Sequence, residues 1–150
     1  MRDDVQLELI QVPEVSARTL VALAGETVRL TSIKDTFERW DFMGRDGGAT
    51  FTAKQLRLPE MVLAQRVREA FAKDGYKGNA AALICWFMRF RPRGMFATIL
   101  DEADLCPTMD GGANHVPYIE NVRPDACCLY SHPVDIVWDT RWTFLGFRQD

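Results

Sequence analysis

The sequence has only two histidines, no C-x-x-C pair among its four cysteines, no apolar run long enough to cross a bilayer and no G-x-x-x-x-G-K-[ST] loop. Each shortage removes a class of protein. Without close cysteine or histidine pairs there is no zinc-box spacing. Without the glycine-lysine loop there is no cradle for nucleotide phosphates, so "DEAD" at 101–104 is not a helicase box. The charge balance, 18 basic against 21 acidic residues for a net -3, lacks the cationic excess that phosphate neutralisation needs, which weighs against nucleic acid as partner. The opening "MRDDVQLELI" carries acids where a secretion signal carries bases, and no stretch is read as a membrane span. The expectation is a soluble, cytoplasmic chain with no cofactor and no bound metal. Its thiols, Cys85, Cys106, Cys127 and Cys128, are expected to be reduced.

What is present suits one domain over 1–150. With 150 residues, 47% of them hydrophobic, a core forms without disulfide or metal staples. Residues 5–12, "VQLELIQV", alternate Val5, Leu7 and Leu9 against Gln6 and Glu8, with Pro13 closing the run, the period of a half-buried strand. "SARTLVAL-AGE-TVRLT" reads as two β-rich segments about Gly25, with a helix over 15–24 as the competing reading. Ile33, Phe37 and Trp40 fall at helical spacing behind Ser32, predicting a helix near 32–43. "GRDGG" at 44–48 is a turn and "ATFTAKQLRL" a strand. "PEMVLAQRVREAFAKDG" predicts a second helix near 59–74 with Leu63, Val67, Ala70 and Phe71 on one face and Gly75 ending it. "AALICWFMRF", 81–90, is apolar on both faces. It reads as a central strand, with a buried helix capped by Asn79 as the alternative. "RPRG" supplies a turn and "MFATIL" a returning strand. Residues 107–124 show no sustained period and read as a long loop. "VDIVW-DTR-WTFLGF" reads as a closing hairpin. The fold class is therefore α+β, a mostly antiparallel sheet with two helices.

"ACCLYSH", 126–132, is the one crowding of cysteine and histidine. As a strand it sends Cys128, Tyr130 and His132 to one side and Cys127 to the other. Cys128 and His132 then stand roughly 13 Å apart at about 3.3 Å per residue, too far to share an ion. Cys106, His115 and one of Cys127, Cys128 or His132 could still converge across the long loop, as a zinc site or as a thiolate with its base. Buried thiols are the simpler expectation. Asp101, Glu102 and Asp104 read as a solvated turn, so no catalytic residue is assigned.

Two aromatic and basic clusters remain. Arg89, Arg91 and Arg93 flank Phe90 at strand spacing and serve either to hold phosphates or to guard a hairpin tip. Trp138 and Trp142 bracket "DTR" and serve as interface anchors or as core. "VQLELIQVPEVSARTLVAL" and "VRPDAC" are similar to the first strand and the R-Y-D-A-C segment of gyrase-inhibitory-protein-like effector-binding domains. That resemblance covers a small part of the chain and implies a duplicated β-α-β-β unit. No late helix is evident after residue 105 to complete one, and no site residues are carried over.

The function expected is non-catalytic binding of another macromolecule, as an inhibitor, an immunity-type partner or a small assembly subunit, through a protein partner or self-association. The residues expected to bind are Trp138, Trp142, Arg89, Arg91, Arg93 and His115. The alternative is a small-molecule-binding domain or hydrolase with a pocket in the 101–132 region.

Overall fold

The computed structural model describes residues 7–13, 19–20, 22–23, 30–33, 49–101, 106–107, 114–123 and 126–150. It is an α+β fold built on one large, mostly antiparallel sheet. Its elements are β1 (Leu7–Val12), β2 (Leu30–Ile33), β3 (Ala49–Leu56), β4 (Val62–Leu63), α1 (Ala64–Ala72), α2 (Ala80–Phe90), β5 (Gly94–Ala97), β6 (Cys106–Pro107), β7 (Asn114–Arg123), β8 (Ala126–Pro133), β9 (Val137–Trp138) and β10 (Trp142–Gln149). The sheet runs β1-β3-β10-β5-β7-β8-β2, with β6 pairing beside β7. Among the described residues only the β10–β5 and β2–β8 pairs are parallel.

Register assigns the two faces, because residues opposite one another on paired strands share a face. Ile10 faces Phe51, Thr143 lies beside Phe96, and Phe96 faces Ile119, which faces Leu129. This face meets α2, where Trp86 packs edge-on against Phe96 with centroids 5.1 Å apart. The opposite face holds Tyr118, His132, Trp142, Phe144 and Gly146. There α1 lies close enough that a Cβ on Gly146 would sit 2.5 Å from Phe71 Cδ1. A helix therefore covers each face of the sheet.

The α1 stripe is Ala64, Val67 and Phe71, all buried, and the chain leaves the helix through Gly75 at φ +83°. The helix begins at Ala64 rather than near Pro59, because Val62 and Leu63 are taken by pairing with Trp138 and Val137 in a separate two-stranded sheet. Leu63, expected in the stripe, is 58% exposed.

Residues 81–90 are helix, which corrects the strand reading. Asn79 Oδ1 accepts from Ala82 N at 2.9 Å, supplying a cap bond that satisfies a first-turn amide. Asn79 N donates to Thr98 Oγ1 (3.0 Å), and that hydroxyl donates to Leu145 O (2.9 Å), so the cap is tied to the sheet. Every residue from Ala80 to Phe87 is buried, which is why the run carries no polar stripe to betray its period. The helix ends on Arg91 in the left-handed region, φ 44°. Pro92 excludes the α-helical region for the residue before it, so the chain turns there.

Three further expectations are corrected. Thr19, Leu20, Ala22 and Leu23 are helical, which favours the helix over 15–24 and removes the first of the two β-segments. Asn114–Arg123 is a strand inside the expected loop. The closing hairpin does not pair with itself: β9 joins β4, and β10 joins β3 and β5. The helix expected near 32–43 cannot start at Ser32, which lies in β2, and its remainder, like the 44–48 turn, lies outside the described residues. No helix among the described residues is long and apolar enough to cross a membrane.

Candidate functional site

Strand β1 ends the sheet among the described residues, and its alternation decides what it offers. Ile10 and Val12 are buried against α2, while Leu7 and Leu9, on the other side of the pleat, are 57% and 59% exposed. The inward Glu8 is anchored rather than free, since its Oε1 accepts from Gln55 Nε2 (3.0 Å) and Trp86 Nε1 (3.4 Å). Between β1 and α2 runs an open groove of about 600 Å³ whose lining includes Leu9, Pro13, Cys85, Met88 and Arg89. Phe90, on the last turn of α2, is 41% exposed. Apolar side chains are thus displayed along a strand edge beside a groove, a place where a segment of another chain can add main-chain hydrogen bonds and bury side chains.

The expected binding residues separate into two groups. Arg89 lies at the groove, donating from Nη1 to Leu9 O at 2.7 Å and lying 5.2 Å over the Phe90 ring. It holds a backbone carbonyl of the edge strand. Arg91 donates from Nε to Met88 O (3.3 Å), and Arg93 from Nη1 to Val122 O (3.4 Å). The three arginines therefore each address a different carbonyl. They are not at strand spacing, because Arg89 is helical and Arg91 is the helix C-cap.

Trp138, Trp142 and the His132 region form the second group, on the face toward α1. Trp138 is 0% and Trp142 5% exposed, so neither indole is displayed as the hairpin reading required. They pack edge-to-face at 4.7 Å, with Tyr118 4.9 Å from Trp142, and His132 5.0 Å from Trp138 and stacked on Trp142 at 5.7 Å. Burial among these rings and the nearby His115 hold the His132 imidazole below the ordinary histidine range. Trp138 Nε1 is buried with no hydrogen-bond acceptor.

Cys85 and Cys127 are buried thiols, whereas Cys128 is half-buried. Burial pushes the Cys85 thiol up to about 12, and burial followed by the neighbouring Cys128 does the same for Cys127. Such thiols are not poised as nucleophiles. Backbone register sets Cys106 opposite His115, the pair singled out from sequence, and Cys128 lies on the His132 side of β8. Among the described residues no three of His, Cys, Asp or Glu gather where an ion could be held.

No known protein family, curated protein or solved structure matches the chain. The resemblance to gyrase-inhibitory-protein-like domains therefore rests on its two short segments. The feature sequence reasoning missed is the exposed leucine pair: the alternation of Leu7 and Leu9 against Gln6 and Glu8 makes the leucines the apolar half of the strand, whereas Ile10 and Val12 take the core and Leu7 and Leu9 are exposed.

Proposed function

We propose that this chain is a non-catalytic protein-binding domain that receives a segment of a partner, or of a second copy, along the β1 edge. The observation that carries the reading is the pair Leu7 and Leu9, more than half exposed on the strand that ends the sheet among the described residues, with Leu9 bordering an apolar-walled groove. An inhibitor, an immunity-type partner or an assembly subunit would each use such an edge. Arg89 fits the same role. Its bond to Leu9 O occupies the edge in the unbound chain, and a partner strand would displace it or extend past it. The net charge of -3 speaks against nucleic acid, and a cytoplasmic setting keeps the buried thiols of Cys85 and Cys127 reduced.

The test is Leu9→Glu, alone and with Leu7→Glu, read by sedimentation and by crosslinking from position 7. Wild type should self-associate or crosslink to one protein, and the double variant should lose about 2 kcal/mol of that affinity while its Tm barely moves. A wild type that is monomeric and crosslinks to nothing through β1 would overturn the proposal.

A further inference from the structure

On the far face of the sheet a cleft of about 310 Å³ opens between α1 and the Tyr76–Gly78 and Ile99–Asp101 segments. Its floor is apolar, from Phe71, Ala72 and Ile99, and its charged residues are of both signs: Arg68 and Lys77 against Glu69 and Asp101. The Arg68 guanidinium is held by one bond, Nε to Leu100 O at 2.9 Å, and its Nη2 is buried with no acceptor. A cationic donor left in that condition is rare in folded proteins and stands to gain a charge-assisted bond from any carboxylate that reaches it. The volume is at the small end for ligand pockets, about 300 to 1,000 Å³, which limits the guest to a few heavy atoms beyond its polar ends. Glu69 and Asp101 on the same walls disfavour a simple anion and, most of all, a phosphate. They suit a guest that also carries a positive charge.

We infer that this cleft binds a small apolar zwitterion of the amino-acid class, its carboxylate held by Arg68 and Lys77 and its ammonium by Glu69 and Asp101. The guanidinium turns from the cleft wall to meet the carboxylate. The backbone around it is fixed: Lys77 exchanges both of its main-chain hydrogen bonds with Phe147, at 3.0 and 2.8 Å, and Gly78 lies so close to Ile99 that no side chain fits there. The site is thus built on a rigid frame with one movable donor.

The experiment titrates the full chain with leucine and phenylalanine, with N-acetylleucine, with leucinamide and with inorganic phosphate, read by calorimetry and by the arginine Nε–H resonances in NMR. The two free amino acids should saturate at millimolar concentration and shift one arginine resonance, while the blocked forms and phosphate bind at least about tenfold more weakly. Arg68→Met should abolish the saturable heat. Should that variant not fold, Lys77→Met and Glu69→Gln carry the test, because both side chains are exposed. Lys77→Met should weaken leucine, and Glu69→Gln should narrow the gap between leucine and N-acetylleucine. The inference is overturned by the absence of saturable binding, by phosphate or N-acetylleucine binding as tightly as leucine, or by unchanged leucine affinity in these variants.

Discussion

Replacing Trp142 with alanine distinguishes an anchor displayed to a partner from a core residue, and the structure sets the size of the effect. The indole is 5% exposed and meets three rings, Trp138 at 4.7 Å, Tyr118 at 4.9 Å and His132 at 5.7 Å. An aromatic side chain buries about 150 to 250 Å², and at about 25 cal/mol per Å² its transfer term is about 4 to 6 kcal/mol. Alanine keeps its Cβ and the neighbours relax in part, so the expected loss is about 3 to 5 kcal/mol. For a chain of this length that lowers Tm by roughly 10 °C or more. The assay is urea unfolding followed by near-ultraviolet circular dichroism, in which the coupled indoles of Trp138 and Trp142 give a signal that the variant loses. Trp142→Phe, which keeps a ring against Tyr118, should lose distinctly less. A loss below about 1 kcal/mol in Trp142→Ala, with the aromatic signal intact, would refute the packing assignment and return this residue to the surface.

Val67→Ala and Leu63→Ala should part company: Val67 is fully buried beneath α1 and should cost about 2 kcal/mol, whereas exposed Leu63 should stay within about 0.5 kcal/mol, both read by denaturant midpoint. Gly78→Ala would set a Cβ 2.5 Å from Ile99 C and 2.8 Å from Leu100 N, backbone atoms that cannot turn aside, so a loss of about 3 kcal/mol or more in thermal unfolding is expected. His132 supplies a pH dependence. Its lowered folded value means that the unfolded chain takes up a proton first, so stability falls as pH drops below about 6.5 and the fall levels off beneath the folded value. His132→Phe should flatten that part of the Tm–pH curve, and an unchanged slope would mean that the imidazole is not desolvated.

Alternation was the more legible signal, and the two longest misread stretches, 81–90 and 107–124, were hidden for different reasons. In β1 the period of two is written into the residues but its phase is not: Leu7 and Leu9 alternate with Glu8, yet Ile10 and Val12 are the buried residues and Leu7 and Leu9 are exposed. From Ala80 to Phe87 helix α2 is buried all round, and a fully apolar run has no period to read. What would have decided it was Asn79 as a cap, the length of eleven residues and the presence of only one β-branched residue, Ile84. The strand β7 was hidden by Pro117, since proline is seldom tolerated inside a sheet. Here Pro117 O accepts from Thr98 N at 3.4 Å, which places its main-chain groups on the β5 side, and β5 itself ends at Ala97 opposite Tyr118. The missing N–H falls just past the end of the neighbouring strand, so no ladder bond is lost.

The candidate site was less legible than the fold because its residues are ordinary types whose meaning depends on position. Trp138 and Trp142 have the composition of an interface, yet β9 and β10 diverge into different sheets, and the turn between them, clamped by Arg141 on Asp139 at 2.8 Å, folds both indoles inward. Arg89 was singled out for a ligand and instead holds Leu9 O. That bond links the two readings of the edge. A strand that ends the sheet among the described residues and carries exposed leucines invites pairing, and a cation fixed to one of its carbonyls restrains that pairing. If the edge is a docking strand, Arg89→Ala removes the restraint and should raise self-association or partner affinity while leaving the fold intact. If Arg89 itself anchors the partner, the same change weakens binding. The sign of that one measurement assigns the arginine its role, and no change in either direction would detach Arg89 from the edge altogether.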